Sequence, residues 1–148
     1  MKLHSDSRES FALLASREVD FVIVGGHAVA FHGFPRFTGD VDLFVRPSPE
    51  NAARILASLA EFGFGDTGLT ASDLTEPDTV VQLGRAPNRV DLLTSLTGVS
   101  FDEAWSARVP GTLDDLPVWF ISKELLVRNK SALRRPMDLA DVSKLQEP

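Results

Sequence analysis

The segment from Phe21 to Val45 constrains the fold of this chain more strongly than any other. Its first four residues form an apolar run with the length of a buried strand, and two glycines follow immediately. A short helix-like stretch comes next, and the segment ends in DVDLFV, in which two acids alternate with apolar residues. The order predicts a strand, a glycine turn into a short helix, and a second strand with charged residues on one face.

Two carboxylates project from one face of the second predicted strand. Asp40 and Asp42 are separated by one residue, and residues i and i+2 of a strand point the same way. Like charges side by side are costly unless a cation lies between them. Gly25 and Gly26 would let backbone N–H groups approach a phosphate without interference from a Cβ atom. A phosphate cradle facing a divalent-cation site predicts phosphoryl or nucleotidyl transfer.

A third acid, Asp91, interrupts the apolar run in NRVDLLTS. A carboxylate inside a buried strand is costly without a partner. A neighbouring strand that carries Asp40 and Asp42 would supply the reason, with three acids around two Mg²⁺ ions about 3.5–4 Å apart. The alternatives are an edge-strand position in which Asp91 faces water and a solvated strand edge for the other two acids. We expect the three carboxylates to converge on one cleft.

Length and composition limit the class of protein. At 148 residues and 43% hydrophobic content, the chain fits a single domain, 1–148, with enough apolar residues for a core. No apolar run approaches the roughly 20 residues that span a bilayer, and residues 1–10 lack the apolar region of a signal peptide. The absence of cysteine suits a cytoplasmic protein. A net charge of −6 argues against broad nonspecific binding of nucleic acid.

Hydrophobic periodicity, capping residues and Gly or Pro breaks predict the remaining elements. Ser48 and Pro49, for example, are of the types favoured at a helix N-cap and at the first helical position. The irregular order of elements predicts an α/β (α+β) fold, with a mixed sheet of about four or five strands flanked by helices. Helices are predicted over residues 7–17, 26–31, 49–62, 101–106, 122–130 and 136–145, and strands over 21–24, 40–45, 79–83, 89–93 and 118–121, with a hairpin turn at 84–88.

The run GGHAVAFHGFPRFTGDVDLFV resembles the nucleotidyltransferase superfamily that includes DNA polymerase β and kanamycin nucleotidyltransferase. It is most similar to the small bacterial nucleotidyltransferases of abortive-infection and toxin–antitoxin systems. That group shows a glycine pair, a helix, an R-x-T-x-D-x-D strand, a later strand with an Asp between hydrophobic residues, and a C-terminal K…R-x-x-D-x-x-D stretch. All of these occur here between residues 19 and 146. The resemblance implies a nucleotidyltransferase-like fold.

The resemblance also implies three roles for residues of these motifs: catalysis, metal binding and nucleotide binding. The catalytic and metal-binding residues would be Asp40, Asp42 and Asp91. The nucleotide-binding residues would be Gly25, Gly26, Arg36, Thr38 and Lys130.

Each of the last three residues also has a plainer interpretation. Arg36 would be a surface loop arginine, Thr38 a β-branched residue at the start of a strand, and Lys130 a favourable charge near a helix C-terminus. The chain also departs from the superfamily at Gly26, where the common pattern has a serine whose hydroxyl contacts a nucleotide phosphate. Backbone amides at a helix N-terminus would then have to hold the triphosphate.

The function predicted from these observations is Mg²⁺- or Mn²⁺-dependent transfer of a nucleoside monophosphate from an NTP to a hydroxyl acceptor. The acceptor is open among tRNA, a protein side chain and a small molecule, and no membrane is involved. One alternative is a catalytically weak nucleotide-binding partner of a cognate toxin or antitoxin, which the missing serine favours and the three acids oppose. Another is a metal-binding structural domain, which explains the acids but not the glycines.

Overall fold

The structure is a computed structural model, and it describes residues 5–34, 39–62, 68–84 and 89–147. Within these ranges the helices are α1 (Ser5–Ser16), α2 (Gly25–Phe31), α3 (Pro49–Phe62), α4 (Phe101–Ser106), α5 (Lys123–Leu133) and α6 (Pro136–Leu145). The strands are β1 (Phe21–Val24), β2 (Val41–Val45), β3 (Val80–Leu83), β4 (Val90–Leu93), β5 (Val109–Leu113) and β6 (Leu116–Phe120). This is the α+β class that the sequence predicts.

The strands form one mixed sheet in the order β3-β4-β2-β1-β6-β5. β1 runs antiparallel to β2 and parallel to β6, and β2 runs parallel to β4. In this register Asp42 of β2 lies opposite Val24 of β1 on one side and Asp91 of β4 on the other. Residues at the same level of neighbouring strands share a face of the sheet. The register therefore brings the two acids side by side.

The residues that alternate with the acids along β2 and β4, and with Val24 along β1, form part of the core. The sequence neighbours of Val24, Asp42 and Asp91 point to the opposite face of the sheet. Three of these neighbours, Ile23, Leu43 and Leu92, are fully buried. α2 packs on β1 and β2, α1 packs against α3, and α5 packs against α6. Burial of each such aliphatic side chain contributes about 1.5–3 kcal/mol. The acids are thus held on central strands that are anchored from their other face.

The described residues form a sheet of six strands, so the prediction of four or five is too low. The missed strand is β5, whose sequence VPGTL contains Pro110 and Gly111. Proline is tolerated there because β5 lies at the edge of the sheet, where one row of N–H groups has no strand partner. A Cβ atom on Gly111 would lie 2.9 Å from the Phe120 ring, so glycine permits the close packing of β5 on its neighbours. The same hairpin extends the predicted strand 118–121 back to Leu116.

The predicted helices are confirmed, with ends that differ by a few residues. Ser48 accepts a hydrogen bond from the Asn51 N–H at 3.2 Å, and Ser122 accepts one from the Leu125 N–H at 3.3 Å, so both cap the helices that follow them. The two strands of the predicted hairpin, β3 and β4, pair in antiparallel fashion. Most of its turn, residues 85–88, lies outside the described residues.

No helix in the described part of the chain is both long enough and apolar enough to cross a membrane.

Candidate active site

A cavity of about 980 Å³ opens beside the glycine turn between β1 and α2. The residues predicted as site residues that line it are Gly25, Gly26, Asp40, Asp42, Asp91 and Lys130. Arg36 and Thr38 lie outside the described residues. We call Asp40, Asp42 and Asp91 the acid triad. The structure brings the triad, the glycine pair and Lys130 to one cavity.

Gly25 lies in contact with the triad and requires the absence of a side chain. Its φ is +67°, in the left-handed region that favours glycine, and a Cβ atom at this position would overlap the Asp42 carboxylate at Oδ2. The turn that starts α2 therefore approaches Asp42 as closely as a backbone can. This close approach joins the predicted phosphate-binding turn to the carboxylate at the centre of the triad.

The environment of Asp42 is unfavourable to negative charge. Partial burial, together with the neighbouring carboxylates of Asp91 and Asp40, raises the pKa of Asp42 to about 6. Lys130 and Arg89 oppose that increase through their positive charge. The cleft therefore concentrates negative charge that a bound cation would neutralise.

Arg89 is a counter-charge to Asp91 and Asp40 within this cleft, and it was not among the residues predicted from the sequence. Its Nε donates to Asp91 Oδ1 at 2.7 Å, and its Nη2 donates to Asp91 Oδ2 at 3.1 Å. The same Nη2 lies 3.4 Å from Asp40 Oδ2, and the backbone N–H of Arg89 donates to Asp40 Oδ1 at 3.0 Å. Strand parity could have found it, because Arg89 precedes Asp91 by two residues and so shares its face.

The acids fit a hard divalent cation by their chemistry more than by their arrangement. Among the described residues, no group of three or more His, Asp or Glu side chains is arranged as a metal-ion site. Carboxylate oxygens are nevertheless the ligands that Mg²⁺ prefers. Burial raises the pKa of Asp42 most, and the repulsion from Asp91 and Asp40 that adds to it is the kind that a cation relieves. The donor set therefore fits Mg²⁺ or Mn²⁺.

Lys130 belongs to a buried ion cluster between α5 and α6. Its Nζ lies 3.3 Å from Asp138 Oδ1 and 3.2 Å from Asp141 Oδ2, and all three side chains are buried. Arg135 adds a contact from Nε to Asp138 Oδ2 at 2.5 Å, and its hydrogen bond is the first cause of a lowered pKa for Asp138. Asp138 thus contacts both Arg135 and Lys130.

Local sequence explains how this cluster is built. α5 ends at Leu133, its C-cap residue Arg134 has a left-handed backbone with φ +60°, and Pro136 occupies the first turn of α6. The Asp138 side chain accepts a hydrogen bond from the Arg135 N–H at 3.3 Å, which caps α6. This sharp turn folds α6 back on α5, so that Asp138 and Asp141 reach Lys130. Three members of the cluster, Lys130, Arg135 and Asp138, line the cavity.

Part of the cavity lining is apolar. Leu93 follows Asp91 by two residues on the same strand face, and Val80 lies opposite Leu93 on β3. Val80 and Met137 are 54% and 61% exposed, although large apolar side chains in a folded protein are more often covered. Leu96 and Leu133 also line the cavity. Exposed apolar surface next to charged groups is typical of a ligand-binding cleft.

Gly25→Ala is expected to displace the Asp42 carboxylate, to destabilise the protein by at least about 1 kcal/mol, and to reduce its thermal stabilisation by Mn²⁺. Gly68→Ala is the matched control, because Gly68 has φ +77° and, within the described part of the chain, no atom lies within 4 Å of its Cβ position. Both variants should melt at lower temperatures than the wild type in a thermal denaturation experiment. An Mn²⁺ shift equally large in both would contradict the link between the turn and Asp42.

Comparison with known proteins assigns the fold. The model of a family described as nucleotidyl transferase of unknown function (DUF2204) matches residues 4–146. A candidate nucleotidyltransferase from Thermotoga maritima is 17% identical, covers 93% of this chain and 84% of its own, and has a TM-score of 0.56. An antigenic nucleotidyltransferase-like protein from Paracoccidioides brasiliensis is 17% identical, with coverages of 97% and 77% and a TM-score of 0.53.

A third solved structure is that of ANT(2")-Ia in complex with adenylyl-2"-tobramycin. It is 15% identical to this chain, covers 93% of it and 83% of its own length, and has a TM-score of 0.55. No curated protein sequence matches the chain. The three structural similarities confirm the predicted nucleotidyltransferase-like fold.

Proposed function

Because the chain belongs to the family described as nucleotidyl transferase of unknown function, we propose that it transfers a nucleoside monophosphate from an NTP to a hydroxyl acceptor, with residues 1–148 acting as one domain. The observation that carries this proposal is the acid triad at the glycine turn. Asp42 and Asp91 share one level of the sheet, all three acids line one cavity, and Gly25 contacts Asp42 directly. Phosphate binding and carboxylates on one cleft are what nucleotidyl transfer requires.

The NTP would bind with its triphosphate at the glycine turn. Backbone N–H groups of Gly25 and Gly26 would hold the β- and γ-phosphates, because no side chain blocks their approach. Arg36 and Thr38 would contact the nucleotide from the segment before β2. The positive charge of Lys130 would favour the phosphates across the cavity, while its contacts with Asp138 and Asp141 hold it in place.

The acid triad would organise the reaction. Mg²⁺ or Mn²⁺, held by Asp40, Asp42 and Asp91, would supply positive charge to the phosphates and to the attacking oxygen. The acceptor oxygen forms a bond to the α-phosphorus, and the bond from that phosphorus to the oxygen bridging the β-phosphate breaks. Pyrophosphate leaves with that electron pair. Asp91 lies two residues before Leu93 on the same face of β4 and accepts the proton of the acceptor hydroxyl.

The apolar part of the cavity lining would hold the body of the acceptor. Leu93 continues the strand face of Asp91, so an acceptor lying on Leu93, Val80 and Met137 would place its hydroxyl near the proposed base. This surface suits tRNA ends, protein side chains and small molecules alike. ANT(2")-Ia is bound to adenylyl-2"-tobramycin in its own structure.

A second candidate is a nucleotide-binding partner of a toxin or antitoxin with weak catalysis. The observation that favours it is Gly26, which replaces the serine that commonly contacts a phosphate in the superfamily. The fit of the triad to a divalent cation favours the enzyme.

Incubation with α-labelled NTPs, Mn²⁺ and total cellular RNA and protein tests the proposal. We expect label in one of the two acceptor pools with the wild type and a loss of at least about 100-fold with Asp91→Asn, because the base and a metal ligand are both removed. Asp115→Asn is the control, since Asp115 is an exposed acid in the β5–β6 turn and does not line the cavity. Binding of NTP and Mn²⁺ without any transfer would support the nucleotide-binding partner instead.

A further inference from the structure

We propose that Arg89 is an internal counter-ion of the acid triad, which competes with the divalent cation for Asp91 and Asp40. The inference rests on the proposed function, because it takes the triad to be the metal ligands. It adds a residue that sets the metal affinity of the site. Metal binding would then require the Arg89 guanidinium to leave the carboxylates.

The strongest evidence is the pairing of Arg89 with Asp91. The guanidinium contacts both carboxylate oxygens, at 2.7 Å from Nε and 3.1 Å from Nη2. This is the two-point geometry in which arginine binds a carboxylate most strongly. Asp91 is buried, so water competes weakly for its oxygens. A cation approaching Asp91 therefore has to replace a charge-assisted pair rather than bound water.

The same guanidinium reaches the second carboxylate. Nη2 of Arg89 lies 3.4 Å from Asp40 Oδ2, while the Arg89 N–H holds the other oxygen of Asp40 at 3.0 Å. One positive group thus lies between two acids of the triad, which is the position that a bridging cation needs. This placement accounts for the finding that the described acids are close together without being arranged as a metal-ion site.

Arg89 contacts Asp91 and Asp40 but makes no contact of this kind with Asp42. Within the described ranges no hydrogen bond or ion pair reaches the Asp42 carboxylate, and Arg89 acts on it only through its charge. Asp42 is therefore the acid that a cation can reach first, and recruitment of Asp91 and Asp40 follows the departure of the guanidinium. The Arg89 side chain is 27% exposed and has four rotatable bonds, so it can turn toward the open part of the cavity.

A different role for Arg89 would give the opposite behaviour. If the guanidinium stayed on Asp91 while metal was bound, it would orient that carboxylate, and its loss would weaken metal binding. The two roles therefore differ in the sign of the change in metal affinity when Arg89 is replaced.

Calorimetric titration of the full chain with Mn²⁺ alone distinguishes them. We expect Arg89→Gln to bind Mn²⁺ about tenfold more tightly than the wild type, because the competing charge-assisted hydrogen bonds are lost. Without metal, the variant should melt at a lower temperature, since Asp91 keeps its burial and loses its partner. Saturating Mn²⁺ should restore most of that loss. Arg89→Lys keeps the charge without the two-point contact and should fall between the two proteins.

Arg135→Gln is the matched control. It removes the same charge from the same cavity, but its hydrogen bonds are with Asp138, and it acts on the triad only through its charge on Asp42. The Mn²⁺ affinity of Arg135→Gln should stay within about threefold of the wild type, since solvent and salt screen the effect of a charge that does not contact the triad. An equal gain in Arg135→Gln would overturn the proposal in favour of a general field effect.

The remaining outcomes separate the inference from the function. Mn²⁺ affinity that is unchanged or weaker in Arg89→Gln and Arg89→Lys overturns the inference and leaves the proposed function standing. Absence of Mn²⁺ binding in the wild type and in both variants overturns the metal-dependent function and the inference together. Mn²⁺ binding that appears only in Arg89→Gln supports the inference, and would mean that the Arg89 guanidinium excludes the cation from the wild-type site.

Discussion

Asp42→Asn is expected to raise the melting temperature of the metal-free protein while removing most of its response to Mn²⁺ and its transfer activity. Asparagine has nearly the shape of aspartate but no charge, so it removes the repulsion from Asp91 and Asp40 and the cost of burying a charge. It also removes the carboxylate at the centre of the triad. Thermal denaturation with a chelator and then with Mn²⁺ measures both effects on one pair of proteins.

The gain in stability of Asp42→Asn over the wild type should increase as the pH rises. A carboxyl with a raised pKa in the folded state contributes stability that is complete below its unfolded value of 3.8 and is lost as the pH rises through about 6. Asp42→Asn should therefore match the wild type at pH 4 and exceed it above pH 6, by on the order of 2 kcal/mol. A variant that is no more stable than the wild type at pH 7.5 with chelator would show that the triad is well solvated.

Lys130→Met is expected to destabilise the protein by about 3–5 kcal/mol at pH 7, the largest effect on stability that we anticipate for a single substitution here. The variant leaves two buried carboxylates, of Asp138 and Asp141, without the amine that lies about 3.3 Å from one and 3.2 Å from the other. Urea denaturation measures the loss. Lys123→Met is the control on the same helix, because Lys123 is exposed.

A double substitution separates the ion cluster from ordinary packing. Lys130→Met combined with Asp141→Leu removes a charge of each sign from the buried site, so the double variant should be more stable than the sum of the single losses predicts. If the losses in unfolding free energy of the two single variants add up to that of the double variant, the charged groups of the cluster do not stabilise one another.

Much of the site could be predicted from the sequence because strand parity is a short-range rule. The buried position of Asp91 required a partner, and the neighbouring strand that supplies Asp42 follows from that requirement. The same parity places Arg89 beside Asp91, although an arginine near a strand end is common enough to be read as solvated. The glycine turn was also predictable, since few other sequences permit φ +67° next to a carboxylate.

Other features depend on packing between distant segments, which local patterns do not encode. The strand β5 contains Pro110 and Gly111, and only its edge position makes that sequence acceptable. The partners of Lys130 depend on the left-handed residue Arg134, which turns α6 back on α5. The sequence alone could not show that this lysine is buried and paired, and its contact with the nucleotide stays a prediction.

The central claim is tested most directly by asking which phosphate of the NTP, α or γ, carries the label that reaches the acceptor. The purified protein is incubated with its acceptor pool, Mn²⁺ and an NTP labelled at either the α- or the γ-phosphate. Nucleotidyl transfer predicts that α-label enters the acceptor, that γ-label is released as pyrophosphate, and that Asp42→Asn and Asp91→Asn abolish both. Transfer of γ-label to the acceptor, or α-label incorporation that survives in both variants, would contradict the account.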